Sequence, residues 1–511
     1  VREPENPSRR DAIKYLIAGA VAATCPVPDA LVSAGQAASP AAKLGSEKNK
    51  LCHQVRDGYS FQFPAPSSEC EVAIVGGGPS GLISAYRLHD ADFQLFEKEP
   101  RLGGNAISEQ WNGLWYSTGA AYNSDPGIEA LCRELGMEIL RIRSVDSAVI
   151  NEQLVHEFWK DGLWKSTYPE SVKKNFDAAR KAMLALDLEK NADRLDNMTF
   201  AELLKPYGPE LKAWYDNYGP NNWGADTENT SALIGAEAFR WGGGLEEDRF
   251  TWPGGLGRIS LALESAIEKK TPGRLRKGAT VLQIEPKGSK VNVSYSENGE
   301  IKTVAARTAV IACPKFIARR IITGLDDAHA SAMDEMRYAP YIVVNACFRE
   351  VVYNSSFDTN IPAPSPIVDF NVADWVVNRD NKEVRRPSIL SCYVPRHEIE
   401  RSKILRDDYC LGQGEQVVAL LDKWFPGSRA KVEEVHIYRR GHPMAMAAPG
   451  VMTRIAPQIR KPMGNIFFAH SDSEGGISEY STALEAANRA TSEARAALGK
   501  QAVRSTVGAS A

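Results

Sequence analysis

Two hydrophobic rhythms run along the chain. Short apolar runs at Val72–Val75, within Thr308–Pro314 and at Asn465–Ala469 predict strands, and residues 341–349, 366–370, 388–394 and 432–438 read the same way. Helical periodicity governs 126–250, as in Ile128–Leu135 and Pro169–Leu188. Trp159, Trp164, Trp214, Trp223 and Trp241 fall in that stretch, a density that suits a core and equally a helical cap. No internal repeat is visible, and low complexity is confined to an Ala-rich region near the start.

The sharpest local signal follows the first run. Val72–Val75 leads into Gly76, Gly78 and Gly81 in G-x-G-x-x-G spacing, then a helical stretch to Leu88, then a strand Phe93–Phe96 ending at Glu97. In such a strand–turn–helix the first glycine makes the turn, the second admits a pyrophosphate and the third lets helix pack on strand. The helix N-terminus offers N–H groups to phosphates. An acid about 20 residues on accepts hydrogen bonds from both ribose hydroxyls, so Glu97 argues for FAD or NAD without a 2′-phosphate. Gly76, Gly78, Pro79, Ser80, Gly81, Glu97 and Lys98 are the candidate contacts at this end.

Between the two dinucleotides, the next residues decide. Arg101-Leu102-Gly103-Gly104 resembles the R-x-G-G segment of the flavin-containing amine oxidase and carotenoid desaturase superfamily, with Asn105 where that family usually has arginine. Ser117–Tyr122 resembles its small-residue segment beside the flavin ring, which implies contacts at Gly119, Ala120 and Ala121. Thr280-Val281 resembles the strand that supplies a valine, here Val281, to the adenine pocket. Thr251–Ile259 resembles the P-G-G loop returning to the cofactor domain. His470-Ser471-Asp472 stands in place of the family's Gly-Thr-Glu, implying that Asp472 faces the ribityl and phosphate region. Ser478, Tyr480 and the helix Ser481–Ala490 follow at the family's spacing, with the helix dipole aimed at the flavin.

The resemblance implies an α/β fold: a discontinuous Rossmann-like FAD-binding domain of the glutathione-reductase-like type, with an inserted α+β substrate domain. The expected FAD-binding pieces are 70–125, 250–330 and 440–500, with substrate or cap pieces at 126–249 and 331–439 and a tail at 501–511. Within the superfamily, Arg439–Ala445 and Tyr341–Arg349 resemble the spermidine-dehydrogenase-like group. Counting back from Phe468 sets His442 where monoamine oxidases carry their flavin-bonding cysteine. Tyr480 falls on one wall of their aromatic cage and Pro443 on the other.

Composition narrows the class further. The chain has 511 residues, 43% hydrophobic and 24% charged, with a net charge of −3, so nothing steers it to nucleic acid. No apolar run approaches the roughly 18 to 20 residues of a membrane span. Ser8-Arg9-Arg10 before the apolar stretch Tyr15–Cys25 has the layout of a twin-arginine export signal, giving a signal peptide over 1–42, a linker over 43–69 and a bacterial periplasmic address. The 8 cysteines show neither C-x-x-C nor zinc spacing.

The chemistry implied by the resemblance is hydride transfer from a carbon next to an amine nitrogen to flavin N5. His442 and Tyr480 are the candidate catalytic residues. Glu237, Glu246, Glu247, Asp248 and Glu479 are candidates for the distal ammonium groups of a polyamine. Many oxidases of the superfamily hold a lysine on a sheet strand where this chain has Val343. The expectation is therefore a dehydrogenase passing electrons to a quinone or cytochrome. A lipid or isoprenoid dehydrogenase with an apolar tunnel, and a non-catalytic flavin-binding protein, are the alternatives.

Overall fold

The computed structural model describes residues 40–45, 49–240, 249–475 and 477–500. The signal-like stretch, Trp241, Glu246, Glu247, Asp248 and the tail 501–511 lie outside them.

A seven-stranded sheet is assembled from three separated parts of the chain. Its order is Leu275–Lys277, Phe93–Glu97, Ser68–Val75, Glu300–Ile311, Lys290–Glu297 and Ala279–Lys287, with Ile466–Phe468 beside Glu300–Ile311. The strands around Ser68–Val75 run parallel. Such strands are covered on both faces, which is why Val72–Val75 reads as an unbroken apolar run. Helices Pro79–Arg87, Gly257–Lys270 and Tyr480–Ala497 cover one face through Leu82, Ile83, Ile259, Leu263, Ala487 and Ala490. Ala318, Met333, Ile455 and Ile459 cover the other.

A second, eight-stranded sheet runs in the order Ala41–Gly45, Val432–Ala445, Tyr338–Phe348, Ser388–Pro395, Asp369–Val372, Asp358–Asn360, Ser147–Ile150 and Gln153–Val155. Side chains alternate across a strand, so this sheet has two characters. Ile342, Val344, Phe348, Leu390, Cys392, Val394 and Ile437 pack beneath helix Asp407–Trp424. Tyr341, Asn345, Ser391, Tyr393, Asp369 and Asn371 share the opposite face, as the register shows, and every one of them is buried. This face sets its polar groups among Val343, Cys347 and Ile389, and the burial of so many polar side chains on it is the unusual feature of the fold.

Helices Glu170–Ala185, Pro209–Trp223 and Ala232–Ala238 form a further layer. Trp214 stacks on Phe158 at 4.4 Å in its core and Trp223 is fully enclosed, whereas Trp164 is 47% exposed. The stretch read as the end of a signal and a linker differs from that reading. Ala41–Gly45 pairs in parallel with Val432–Ala445, and Lys50–Arg56 is helical. Leu44 packs on the second core and Lys43 reaches Glu109 at 3.0 Å, long-range contacts that a short run of small residues does not announce.

The turn tolerates no added volume at Gly81, where a Cβ would stand 1.8 Å from the Gly76 carbonyl oxygen. At Gly412, within helix Asp407–Trp424, nothing lies within 4 Å. Gly81→Ala should destabilise the fold by about 1–3 kcal/mol or more, and Gly412→Ala should stabilise it by about 0.5–1 kcal/mol. Urea unfolding of both variants tests this, and effects of the same sign would contradict the packing described.

Candidate functional site

The glycine turn is held by its own acid. Glu97 Oε2 accepts from the Gly77 N–H at 2.6 Å and Oε1 from the Glu99 N–H at 2.8 Å. Burial pushes the carboxyl up while those two donors oppose it. Gly78 is the N-cap of helix Pro79–Arg87 and Pro79 stands in its first turn, where a missing N–H costs nothing. Ser80 is buried and its carbonyl accepts from Ser84 Oγ at 2.7 Å. The Lys98 ammonium is engaged by Glu99 at 2.5 Å and Asn49 at 3.3 Å.

The R-x-G-G loop lies directly on this turn. Gly103 donates its N–H to the Gly77 carbonyl at 2.8 Å, and a Cβ on Gly104 would come within 3.0 Å of Gly78 Cα. A Cβ on Gly78 would meet only Gly104, at 3.8 Å. Two bare backbones thus face each other at the helix N-terminus, which is a cradle that side chains would fill. This geometry fits a dinucleotide pyrophosphate.

Asn105 joins that cradle to two other segments. Its amide donates to the Pro443 carbonyl at 3.0 Å, and its own carbonyl accepts from the Ala120 N–H at 3.3 Å. Gly119 is pressed so closely on Asn105 that a Cβ would sit 2.3 Å from the Asn105 carbonyl oxygen. The Gly119 carbonyl accepts from Tyr393 Oη at 3.1 Å, linking the cofactor side to the polar face of the second sheet. Arg440 holds Thr118 from the same sheet, at 2.5 and 2.9 Å. Ala120 accepts from the Leu256 N–H at 3.1 Å and Ala121 from Thr251 Oγ1. Val281 is half-buried against the first core, at an irregularity in its strand pairing. Ser478 Oγ accepts from the Ala445 N–H at 3.0 Å, tying the last helix to the strand that carries His442.

Several of the expected site groups are enclosed by the protein's own side chains. Asp472 does not present a free carboxylate: its side chain is 0% exposed, with Lys315 Nζ at 2.5 Å, the Lys315 N–H at 2.9 Å, Tyr338 Oη at 2.7 Å and His470 Nδ1 at 3.1 Å. Burial opposes its charge, but His470 and Lys315 hold it well below the usual carboxylate range. Tyr480 is 3% exposed, its hydroxyl lies 3.2 Å from Ser260 Oγ, and its ring packs in the apolar cluster that includes Leu82 and Ile83 of helix Pro79–Arg87. Glu479 caps its own helix, accepting from Ser481 Oγ at 2.9 Å, and burial pushes the Glu237 carboxyl up against the opposing effect of Arg240.

His442 stacks on Phe316 at 4.3 Å and meets Tyr338 edge-on at 6.4 Å. Burial, then Arg401, His53, Arg56 and Arg320, push it down to about 4, so its imidazole is neutral at pH 7. Val343 is buried on the polar face with Tyr393 and Tyr438 as its strand partners. Lys315, Tyr341, Tyr393, Asp358 and Asp369 were not foreseen as site residues. A lysine after Cys-Pro reads as surface, and only the sheet register reveals the others.

A family model described as flavin-containing amine oxidoreductase matches residues 79–494. The chain belongs to the flavin-containing amine oxidoreductase family. Its cofactor is therefore FAD, in agreement with the cradle described above. Flavin-containing amine oxidase B of Cavia porcellus is 24% identical, over 85% of this chain and 88% of that protein. An oxidoreductase of a Serratia species is 22% identical, over 81% and 75%. Among solved structures, cyclohexylamine oxidase from Brevibacterium oxydans has a TM-score of 0.68 at 18% identity, covering 84% of this chain and 100% of that one. Putrescine oxidase bound to putrescine has a TM-score of 0.66 at 19% identity, covering 84% and 99%. These amine oxidoreductase structures share the fold. Among the described residues no helix is long and apolar enough to cross a membrane, and no group of acids, histidines and cysteines is arranged to hold a metal ion.

The Lys315–Asp472 pair binds the Pro314 turn to the loop after Ile466–Phe468. Removing the ammonium leaves the buried Asp472 carboxylate to His470, Tyr338 and the backbone N–H of residue 315, so Lys315→Met should be destabilising by up to about 3–5 kcal/mol. Lys315→Met combined with Asp472→Asn should cost clearly less than the two single effects summed. Additive losses in a chemical-denaturation cycle would contradict the pairing.

Proposed function

We propose that this chain is an FAD-dependent amine dehydrogenase of the polyamine type. The observation that carries the reading is the buried polar face of the second sheet, whose Tyr393 hydroxyl reaches the Gly119 carbonyl beside the cofactor-side loop. A lipid-type dehydrogenation calls for an apolar tunnel, and a face built from Tyr341, Asn345, Ser391, Tyr393 and Asp369 is the wrong chemistry for one. The named amine substrates of the structurally similar cyclohexylamine and putrescine oxidases point the same way.

In this reading Gly76, Gly78, Pro79, Ser80, Gly81, Gly103, Gly104 and Asn105 hold the pyrophosphate, and Glu97 and Lys98 the ribose end. Val281 flanks the adenine, Gly119, Ala120 and Ala121 the ring, and Ser478 anchors the helix that closes the site. Residues 70–125, 250–330 and 440–500 form the cofactor part, and 126–249 with 331–439 the substrate part. Bound FAD supplies the hydride acceptor. The chain's own contribution is position and electrostatics. A low-dielectric face disfavours the charged form of an amine held against it, leaving the nitrogen lone pair free. Neutral His442 adds no positive charge and can accept a hydrogen bond through a ring nitrogen.

Dehydrogenase is favoured over oxidase by Val343. A valine there offers no charge and no hydrogen bond to the negative charge that develops during attack by oxygen. The twin-arginine layout Ser8-Arg9-Arg10 suits export of the loaded protein to the periplasm, where quinones and cytochromes accept electrons.

Anaerobic mixing of the FAD-loaded protein with a panel of amines should bleach the flavin. The reduced protein should then reoxidise much faster with a quinone analogue than with dissolved oxygen. Failure of every amine to bleach it overturns the function, and fast reoxidation in air with stoichiometric peroxide overturns the dehydrogenase assignment alone. Because His442 titrates near 4, the reduction rate should carry no His442 inflection between pH 5 and 8. An inflection near the ordinary histidine value, about 6.5, that vanishes in His442→Ala would contradict this.

A further inference from the structure

The register of the second sheet brings two acids onto its polar face. Asp369 stands opposite Tyr393 and Asp358 opposite Asn371, which in turn faces Ser391. Directly opposed residues share a face, so both acids line up with Tyr341 and Val343. Asp358 is 4% exposed and Asp369 5%, and Oδ1 of each has no hydrogen-bond donor. The other oxygen of Asp369 accepts from Asn221, whose own oxygen accepts from Tyr341 Oη.

These acids are not neutralised by the protein. A third carboxylate nearby, Asp146, is held by Arg249 through both oxygens at 2.7 and 3.1 Å, and Arg249 also donates to the Ser144 carbonyl at 2.7 Å. Arg249 is thereby committed to Asp146. Burial, followed by Asp146, pushes Asp358 up to about 8 against the opposing effect of Arg249. Burial, followed by Asp358 and Asp146, pushes Asp369 well above the usual range. Buried carboxylates without a counter-ion are costly, and the cost is relieved only by a proton or by a cation from outside.

A cavity of about 170 Å³, lined by Asn217, Pro220, Val368, Pro395, Arg396 and Glu398 among others, lies beside this end of the sheet and reaches the chain neighbours of Asn221 and Asp369, not the acids themselves. The electrostatics are also graded. Arg401, Arg320, Arg56 and His53 make the surroundings of His442 positive, whereas the far end of the polar face holds two carboxyl groups that ionise readily only when a cation reaches them. A molecule with one neutral amine and one ammonium group is oriented by that gradient.

We propose that Asp369 and Asp358 form a subsite for the second ammonium group of a diamine or polyamine, and that this subsite sets a preference for such substrates over monoamines. The proposal rests on the amine dehydrogenase reading. An alkylammonium brings three N–H donors and one positive charge, which answer both unpartnered oxygens. Tyr341 and Tyr393 border the path between the acids and the Gly119 loop.

The test is anaerobic stopped-flow reduction of the FAD-loaded protein by 1,4-diaminobutane and by butylamine, in wild type, Asp369→Asn and Asp358→Asn. Wild type should favour the diamine by about 100-fold in kcat/KM, and each amide variant should collapse that ratio toward one through KM for the diamine. Each isosteric amide keeps the volume of a buried carboxyl whose ionised form the protein disfavours, so both variants should melt no lower than wild type. Equal use of the two amines by wild type, or an undiminished ratio in both folded variants, overturns the subsite while leaving the amine dehydrogenase reading in place. No bleaching by any amine overturns both.

Discussion

Around residues 76–104 backbone has to lie on bare backbone, and the rest of the molecule is arranged to permit it. Gly81 packs on the Gly76 carbonyl and Gly104 on Gly78, so a side chain at Gly81 or Gly104 would force helix, strand and loop apart. Close approach of this kind needs a rigid support. The doubly covered parallel sheet supplies it, with Val72–Val75 almost wholly enclosed and Glu97 bracing the turn through the Gly77 N–H. The cofactor cradle is thus a consequence of packing, with the helix N-terminus as its floor.

The second sheet solves a different problem. One face is an ordinary apolar core under helix Asp407–Trp424, and the other is polar yet closed off from water. Buried polar groups persist only when paired, and the protein pairs most of them: Tyr393 with Gly119, Tyr341 with Asn221, Ser391 with Asn345. Arg440 and Asn105 tie this face to the cofactor loop, while the enclosed Lys315–Asp472 pair fixes the Pro314 turn from behind. What is left over on this face is Asn345 Nδ2 and one oxygen each of Asp358 and Asp369, the two oxygens on which the proposed subsite draws.

Legibility in the sequence followed range. The glycine turn, Glu97 and the R-x-G-G loop were readable because their chemistry is set by neighbours within about 30 residues of one βαβ unit. The central strands of both sheets showed in their apolar runs, whereas Lys290–Glu297, Ser147–Ile150 and Asp358–Asn360 did not. For Asp472 and Tyr480 the spacing located the segments but not their protein partners, Lys315 and Ser260, because packing decides where a side chain goes. Lys315 and the two buried acids had no local signal. Their partners lie far along the chain, and only strand register brings them together. The strand Ala41–Gly45 was hidden for the same reason, because its pairing partner begins at Val432.

The account's central claim is that the glycine cradle and the buried polar face bound a single site, joined at Gly119. A crystal structure of the FAD-loaded protein tests it most directly. The pyrophosphate should lie between Gly78 and Gly104, and the isoalloxazine should pass beside Gly119 and face Tyr341 and Tyr393. A flavin ring directed away from that sheet, or a pyrophosphate bound elsewhere, would contradict the account.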